Sequence, residues 1–304
     1  MHVSAARTDV IDRARGAFLG LAVGDALGAT TEFMTPREIQ AQYGVHRKMR
    51  GGGWLGLKPG QVTDDTEMSL CIARALITAK GWDLTGIADN FVAWMKGKPI
   101  DIGSTCRKGI RNYLLNGVLE APCNEWDAGN GAVMRMAPVA LFTLGDDEGL
   151  GRRALEQARL THHHPLSDSA CLCLGRMLHR ALLGADAPAL HELTRDLAGK
   201  HPNFRFNPYN GQASGYVVDT LRTVFHYFFT TATFEECLIA VVNQGGDADT
   251  TGAIAGMLAG AHYGRQSIPE TWVRKLDGRI RREVETAAES LIRISPWWRS
   301  RIAA

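Results

Sequence analysis

Apolar residues recur along almost the whole chain at the three- and four-residue spacing of an amphipathic helix. The segment from Met68 to Ala79 has apolar residues at i, i+3, i+4, i+7, i+8 and i+11, and the segment from Phe234 to Val242 repeats the pattern. The period-two alternation that marks a half-buried strand is scarce. The pattern therefore predicts an all-α protein.

The same periodicity gives approximate bounds for the predicted helices. They are 9–28, 66–80, 84–97, 104–116, 131–143, 150–160, 167–183, 188–198, 214–229, 234–242, 249–263 and 270–292. Turn-forming residues predict loops at 50–61, 117–131 and 199–212. None of these loops has the composition of a linker, so we expect one compact domain over residues 1–304.

Two of the predicted helices carry glycine at every fourth position. The glycines are Gly16, Gly20, Gly24 and Gly28 in the first helix, and Gly252, Gly256 and Gly260 in the late one. A glycine inside a helix costs about 0.8 to 1 kcal/mol relative to alanine, and close approach of a neighbouring backbone would compensate for that cost. The first helix also places Asp25 on its apolar stripe, where a carboxylate must be hydrogen-bonded or functional. We therefore expect both helices to be central and to bring their acidic ends together.

Composition and charge exclude several classes of protein. With 45% hydrophobic and 22% charged residues, the 304-residue chain is typical of globular proteins rather than disordered ones. A formal net charge of +2 provides no strong field for nucleic acid, so we expect no nucleic-acid partner. The chain has no apolar run of the roughly 18 residues that a transmembrane segment needs, and the first residues lack the apolar core of a secretory signal. We expect a cytoplasmic protein with no transmembrane segment.

Two short stretches are unusually rich in acidic and hydroxyl side chains. "QVTDDTEMSL" contains Thr63, Asp64 and Asp65, and "NQGGDADTTGAIAG" contains Asp247, Asp249 and Thr250. Helix capping is one interpretation, because Asp64 followed by Glu67 has the spacing of a capping box. A cap needs only one side-chain oxygen, however, and each stretch offers two carboxylates and a hydroxyl within four residues.

Four clustered carboxylates would repel one another, and two divalent cations would neutralise them. All the ligands are oxygen atoms, which favours Mg²⁺, Mn²⁺ or Ca²⁺ over zinc. Two adjacent hard cations can hold vicinal hydroxyls or phosphate oxygens and lower the pKa of a bound water. These residues alone predict metal-assisted hydrolysis of either a phosphoryl or a glycosyl bond.

Five motifs together resemble the ADP-ribosylglycohydrolase family. They are "GAFLGLAVGDALGATTE" at 16–32, "TDDTEM" at 63–68, "GNGAVMRMAP" at 129–138, "THHHPLSDSA" at 161–170 and "NQGGDADTTGAIAGMLAGAHYG" at 243–264. The resemblance spans almost the whole chain in the family's order. The stretches "HRKMRGGGWLGLKPGQ", "PIDIGSTCRKGIR" and "NPYNGQASGYVVDT" are similar to the bacterial, arginine-specific branch of the family.

This resemblance implies a compact all-α fold with a dinuclear metal site at helix N-termini. It implies two divalent cations, Mn²⁺ first and Mg²⁺ as the alternative, and no organic cofactor. The activity implied is removal of ADP-ribose from an arginine of the nitrogenase iron protein. Control through a PII-type signalling protein, with recruitment to the membrane through a partner, is implied as well. We expect a monomer.

The resemblance also implies a role for individual positions. It makes Thr63, Asp64, Asp65, Asp247, Asp249 and Thr250 the metal ligands. It assigns catalytic roles to Asp101 and Glu32, with the division between them open. It places the ADP-ribose phosphates at Gly129, Asn130 and Gly131, a histidine of the same pocket at His162 and an adenine-stacking ring at Tyr216. Without the family, a plain turn before a helix is the favoured interpretation of the segment 129–131.

Two other functions remain open from the sequence. The enzyme could cleave another ADP-ribose linkage, to serine or within a polymer. Alternatively, the chain could be a non-catalytic ADP-ribose-binding protein. Both acidic triplets are complete in this sequence, which argues against the non-catalytic alternative.

Overall fold

Helices account for most of residues 6–302, the part of the chain that this computed structural model describes, and those residues form no β-strand. The α-helices are α1 (Arg7–Gly28), α2 (Pro36–Tyr43), α3 (Asp64–Ala79), α4 (Leu84–Lys96), α5 (Ser104–Asn116), α6 (Ala137–Thr143), α7 (Asp147–Arg159), α8 (Pro165–Leu182), α9 (Ala187–Lys200), α10 (Val217–Thr230), α11 (Phe234–Val242), α12 (Ala248–Tyr263), α13 (Glu270–Lys275), α14 (Gly278–Ile294) and α15 (Pro296–Ile302). The predicted all-α fold class is confirmed.

Helices α1 and α12 pack antiparallel along their glycine ridges at the centre of the fold. A Cβ atom on Gly24 would lie 1.9 Å from the carbonyl oxygen of Gly252, and one on Gly20 would lie 2.2 Å from that of Gly256. No side chain fits such a gap, so only glycine allows the two backbones to touch. Both helices are buried along the shared length, which confirms that they are central and that their acidic ends meet.

The other helices form layers around this pair. Helices α3 and α14 pack against α1, and α8, α10 and α11 pack against α12. One cluster of buried apolar side chains runs through all of these contacts. This packing places the start of α3 and the start of α12 beside the end of α1.

Apart from shifts of up to three residues at helix ends, the helices differ from prediction in four places. Residues 131–135 form turns, and α6 begins only at Ala137. The predicted helix 270–292 is two helices, because Asp277 caps a new helix, α14, through the N–H groups of Arg279 and Ile280. Helices α2 and α15 were not predicted. A sequence signal for α2 was present, since Thr35 and Glu38 form a complete capping box around a proline at the first turn.

Among the described helices, none is both long enough and apolar enough to cross a membrane.

Candidate active site

The two acidic stretches meet in the interior although they lie more than 180 residues apart in the chain. The Thr63 hydroxyl lies 3.3 Å from a carboxylate oxygen of Asp249. The Thr250 hydroxyl lies 3.2 Å from Oδ2 of Asp65. Each helix start thus contacts the other through a hydroxyl and a carboxylate, and the structure brings all six sequence-predicted ligands to one place.

Helix capping does not account for the carboxylates of α3. Thr63 occupies the N-cap position but makes no side-chain cap bond. The alternative interpretation of Asp64 and Glu67 as a capping box is wrong, because Thr63 rather than Asp64 is the N-cap residue and Glu67 accepts a hydrogen bond from the indole of Trp94 at 2.6 Å. Asp64 instead accepts the backbone N–H of Gly103 at 3.1 Å. The interpretation of this stretch as an ordinary helix start is therefore excluded.

Asp25 of α1 caps α3 from outside and was missing from the predicted site. This fully buried carboxylate accepts the backbone N–H of Thr63 at 3.0 Å and that of Thr66 at 3.2 Å. Both threonine hydroxyls also donate to it. Its place on an apolar helix stripe was the sequence signal for it. Because Asp25 satisfies the start of α3, Asp64 and Asp65 are free to bind something else.

Glu32 joins the cluster from the turn after α1. Carboxylate oxygens of Glu32, Asp247 and Asp249 lie within 4.8 Å of one another, close enough to share a cation. The other predicted catalytic residue, Asp101, lines the same cavity and accepts the N–H of Ile102 at 2.7 Å. Both predicted acids are therefore beside the predicted ligands.

The buried carboxylates hold protons more tightly than exposed ones do. Burial and neighbouring negative charges raise the pKa of Asp64 to about 7 and that of Glu32 to about 8. The same causes, burial first, raise the pKa values of Asp65 and Asp249 well above the ordinary range. Asp101, half-buried, has a pKa raised in the same direction. The protein alone does not compensate for this negative charge.

The chemistry of this cluster fits hard divalent cations. Its ligand atoms are all carboxylate or hydroxyl oxygens, which suit Mg²⁺, Mn²⁺ and Ca²⁺. Oδ1 of Asp65 is buried and has no hydrogen-bond partner among the described residues. An unpaired buried carboxylate oxygen is costly unless a cation binds it. The acidic group could therefore hold metal.

A cavity of about 790 Å³ opens above the carboxylates. Its wall includes the predicted phosphate segment, Gly129, Asn130 and Gly131, and His162. The side-chain amide of Asn130 donates to Asp247 at 2.7 Å and so links the segment to the acidic cluster. Tyr216 is exposed and is not among the residues that line the cavity, although its backbone pairs with Gly129 in an isolated bridge and the neighbouring Gly215 does line it.

The ring of His162 leaves too little room for side chains at Gly129 and Gly131. A Cβ atom on Gly131 would lie 2.8 Å from the imidazole of His162, and one on Gly129 would lie 3.0 Å from its Nε2. The segment continues into turns rather than into the predicted helix. The backbone N–H groups of Val133 and Met134 donate to the carbonyl of Asn130. This segment is therefore a tight turn packed on a buried ring.

Burial keeps His162 neutral, and a hydrogen-bond chain from Arg135 reaches its ring. The fully buried guanidinium of Arg135 donates to the Thr161 hydroxyl at 2.7 Å, and that hydroxyl lies 2.8 Å from Nδ1 of His162. The hydroxyl proton has no other acceptor among residues 6–302, so it points to Nδ1. Burial, with a contribution from the Arg135 charge, lowers the pKa of His162 to about 3. The ring is thus neutral and carries its proton on Nε2, the nitrogen that faces the glycine turn.

Comparison with known proteins agrees with this geometry. The family model described as ADP-ribosylglycohydrolase matches residues 6–300. An ADP-ribosyl-[dinitrogen reductase] glycohydrolase of Rhodospirillum rubrum is 57% identical over 286 residues, which cover 94% of this chain and 97% of the relative. An ADP-ribosylarginine hydrolase, Tri1, of Serratia proteamaculans is 33% identical and covers 95% of this chain and 81% of its own.

A solved structure described as an ADP-ribosylglycohydrolase-related protein complex has the same fold. It superposes with a TM-score of 0.82 at 36% sequence identity and covers 94% of this chain and 99% of its own.

Proposed function

Because the chain belongs to the ADP-ribosylglycohydrolase family, we propose that it hydrolyses the N-glycosidic bond between ADP-ribose and an arginine side chain of a modified protein. The nitrogenase iron protein is the proposed substrate. The observation that carries this assignment is the complete acidic cluster, in a chain that is 57% identical to the Rhodospirillum rubrum glycohydrolase along almost its full length.

We assign two divalent cations to Thr63, Asp64, Asp65, Asp247, Asp249 and Thr250. Mn²⁺ is the proposed metal and Mg²⁺ the alternative, and the reaction needs no organic cofactor. When bound there, such cations would supply positive charge that offsets the carboxylates and polarises oxygen atoms of the ribose and of water. Asp25 would keep α3 capped, so that the ligands stay directed into the cavity.

The reaction is the addition of water across the bond from ribose C1 to the guanidine nitrogen. The hydroxyl of water bonds to C1, the C1–N bond breaks, and a proton goes to the departing guanidine. Positive charge develops on the sugar in the transition state, as in glycoside hydrolysis. A nearby carboxylate can stabilise that charge or move the proton.

Glu32 and Asp101 are the carboxylates assigned to that step. The pKa of Glu32, raised to about 8, allows this group to hold or release a proton near neutral pH. Asp101 lines the same cavity and also has a raised pKa. We assign proton transfer to this pair without dividing the roles.

We assign recognition of ADP-ribose to a second group of residues, which line or adjoin the cavity and are not metal ligands. The proposed phosphate contacts are Gly129, Asn130 and Gly131. His162, with its proton on Nε2, would donate to an oxygen of the ligand. Tyr216, which is exposed and follows the cavity-lining Gly215, is the proposed ring for adenine. We also propose that the enzyme is a cytoplasmic monomer, controlled by a PII-type protein and recruited to the membrane through a partner.

The test is release of ADP-ribose from the ADP-ribosylated iron protein, with Mn²⁺ or with chelator. We expect release only with metal, and a loss of at least about 100-fold in Asp64→Asn and in Asp247→Asn. Asp196→Asn, an exposed carboxylate on α9, is the matched control and should retain full activity.

Other outcomes identify the alternatives. Release from serine-linked or polymeric ADP-ribose but not from arginine would assign another linkage. Tight binding of ADP-ribose without release from any substrate would make the chain a binding protein.

A further inference from the structure

The glycine-rich segment that follows α2 builds a hairpin at the mouth of the cavity. Gly52 and Leu57 form a two-way backbone bridge, with N–H to O distances of 2.7 and 2.9 Å. Residues 53–56 form the tip of this hairpin. Gly53 has a positive φ of 67°, and a Cβ atom there would lie 2.3 Å from the carbonyl oxygen of Ala29 at the end of α1. The tip is thus seated against the helix that leads to Glu32.

The hairpin presents Trp54 to the cavity. Its indole Nε1 donates to Oε2 of Glu32 at 2.6 Å, and the ring lines the cavity wall. The side chain nevertheless remains 55% exposed. One edge of the indole therefore holds a proposed catalytic carboxylate, while much of the remaining ring surface faces solvent at the opening.

Phe33 forms an aromatic pair with Trp54. The ring centroids are 5.3 Å apart with a tilt of 52°, and Phe33 is 66% exposed. Its backbone is left-handed, with φ of 61°, which is unfavourable for a residue with a bulky side chain. A hydrogen bond from its N–H to the carbonyl of Gly246 holds this conformation. Two large aromatic rings are thus held at an opening where they gain little from burial in the protein itself.

The position of the pair suggests what it binds. Under the proposed function, the bond that breaks lies beside Glu32, with ADP-ribose inside the cavity and the arginine leading out to the substrate protein. The side chain of that arginine must pass the exposed ring of Trp54, which is hydrogen-bonded to Glu32, and the paired ring of Phe33. A guanidinium is planar and cationic, and it stacks well on an indole face.

We propose that Trp54 and Phe33 form the subsite for the guanidinium side chain of the modified arginine, and that Trp54 also positions Glu32. This inference rests on the proposed function. The hairpin then serves to place Trp54, and the aromatic pair helps to determine that the enzyme cleaves the arginine linkage. Trp54 acts on catalysis through Glu32, whereas the guanidinium contact acts on binding.

Three variants separate the two contributions of the pair. Trp54→Phe keeps an aromatic face but loses the indole N–H, so KM should stay near wild type while kcat falls several-fold. Phe33→Ala removes part of the stacking surface, so KM should rise with kcat nearly unchanged. Trp54→Ala loses both, so KM should rise about five- to tenfold and kcat should fall.

Calorimetric binding of free ADP-ribose is the key control measurement. The product lacks arginine, so its Kd should be the same in wild type and in all three variants. Trp126→Ala removes another highly exposed tryptophan, which does not line the cavity, and should change neither KM nor kcat. A parallel loss of ADP-ribose affinity in Trp54→Ala would overturn the proposal and assign the pair to the nucleotide.

Agmatine binding in the presence of ADP-ribose tests the subsite without turnover. Agmatine carries a guanidinium on an alkyl chain, and we expect Trp54→Ala to weaken its binding about fivefold. Unchanged agmatine affinity, or an unchanged KM in Trp54→Ala, would refute the subsite even if the wild type is active. Trp54-dependent agmatine binding in a wild type that releases no ADP-ribose would refute the proposed reaction instead.

Discussion

Helices α7 and α12 both begin after an aspartate at the N-cap, but the two carboxylates have different partners. Asp146 accepts the backbone N–H of Gly149 at 2.8 Å and satisfies the start of α7. Asp247 caps no backbone N–H of α12; its partner is the side-chain amide of Asn130. The same residue type at the same helix position is thus structural in one place and part of the cavity in the other.

The contrast extends to the other helix starts. Asp83 and Asp186 cap α4 and α9 through N–H groups three residues ahead, at 2.9 and 3.0 Å. At α3 the cap comes from Asp25, on a different helix. A helix start that is capped from elsewhere does not need its own carboxylates as caps, and those of α3 are directed to other groups, with Oδ1 of Asp65 left unpaired.

The largest effect should come from separating the two site helix starts. Gly24→Val would place side-chain atoms where the carbonyl of Gly252 lies 1.9 Å from a Cβ, so α1 and α12 must move apart. We expect a loss of about 3 kcal/mol or more in the free energy of unfolding. Urea or thermal unfolding measures it.

The matched control is Gly151→Ala on α7, where a Cβ meets no other atom within 4 Å. That substitution should stabilise the protein by up to about 1 kcal/mol, because alanine is the better helix former. Equal behaviour of the two variants would show that the glycine ridge does not set the spacing of the site.

The next largest effect should come from the external cap. Asp25→Asn replaces one oxygen that accepts hydrogen bonds by an amide that donates them, facing the N–H and hydroxyl donors of Thr63 and Thr66. The start of α3 should shift, and we expect a 10- to 100-fold weaker affinity for Mn²⁺.

Calorimetric titration with Mn²⁺ checks this effect, with Asp9→Asn, an exposed carboxylate on the same helix, as control. A folded Asp25→Asn protein with wild-type metal affinity would contradict the role of Asp25.

The next largest effect should be the pH dependence of stability, which distinguishes the carboxylates of the cavity from those that cap helices. The pKa values of Asp64 and Glu32 are raised in the folded protein to about 7 and 8, so the native state binds more protons than the unfolded state between the ordinary and the raised pKa values. The stability of metal-free protein should therefore fall as pH rises from 6.5 to 8, by up to about 1.4 kcal/mol per pH unit for each group.

The free energy of unfolding of chelator-treated protein, measured at several pH values, gives this slope. The window lies above the ordinary pKa of histidine, whose buried members would act in the opposite direction. Added Mn²⁺ should flatten the slope, because a cation favours the charged form. A metal-free protein that becomes more stable up to pH 8 would contradict the burial of charge at the site.

The smallest effect should come from an ordinary cap. Asp146→Ala removes the cap of α7 and should cost about 1 kcal/mol, with or without metal. Asp65→Asn, by contrast, removes the cost of burying an ionisable carboxyl with an unpaired oxygen and should raise the melting temperature of metal-free protein. If both substitutions lowered the melting temperature alike, the distinction between capping and ligand carboxylates would be wrong.

Much of the fold followed from local patterns. The four-residue glycine spacing of α1 and α12 predicted their close packing, since only a bare backbone tolerates such an approach. The helix predicted over 131–143 is wrong at 131–135, because apolar residues at helical spacing there fold as a turn over the His162 ring. The residues of the acidic stretches were found from their excess of oxygen atoms, and their roles as ligands stay predictions.

The sequence by itself determined the helices and the chemistry available, because helical periodicity and side-chain type are local properties. It also marked Asp25 as anomalous. The tertiary structure alone decided which carboxylates cap helices and which meet across the cavity. It also decided that Asp25 supplies a cap to another helix and that a glycine hairpin brings Trp54 to Glu32. These relations join residues far apart in the chain, so no local property of the sequence determines them.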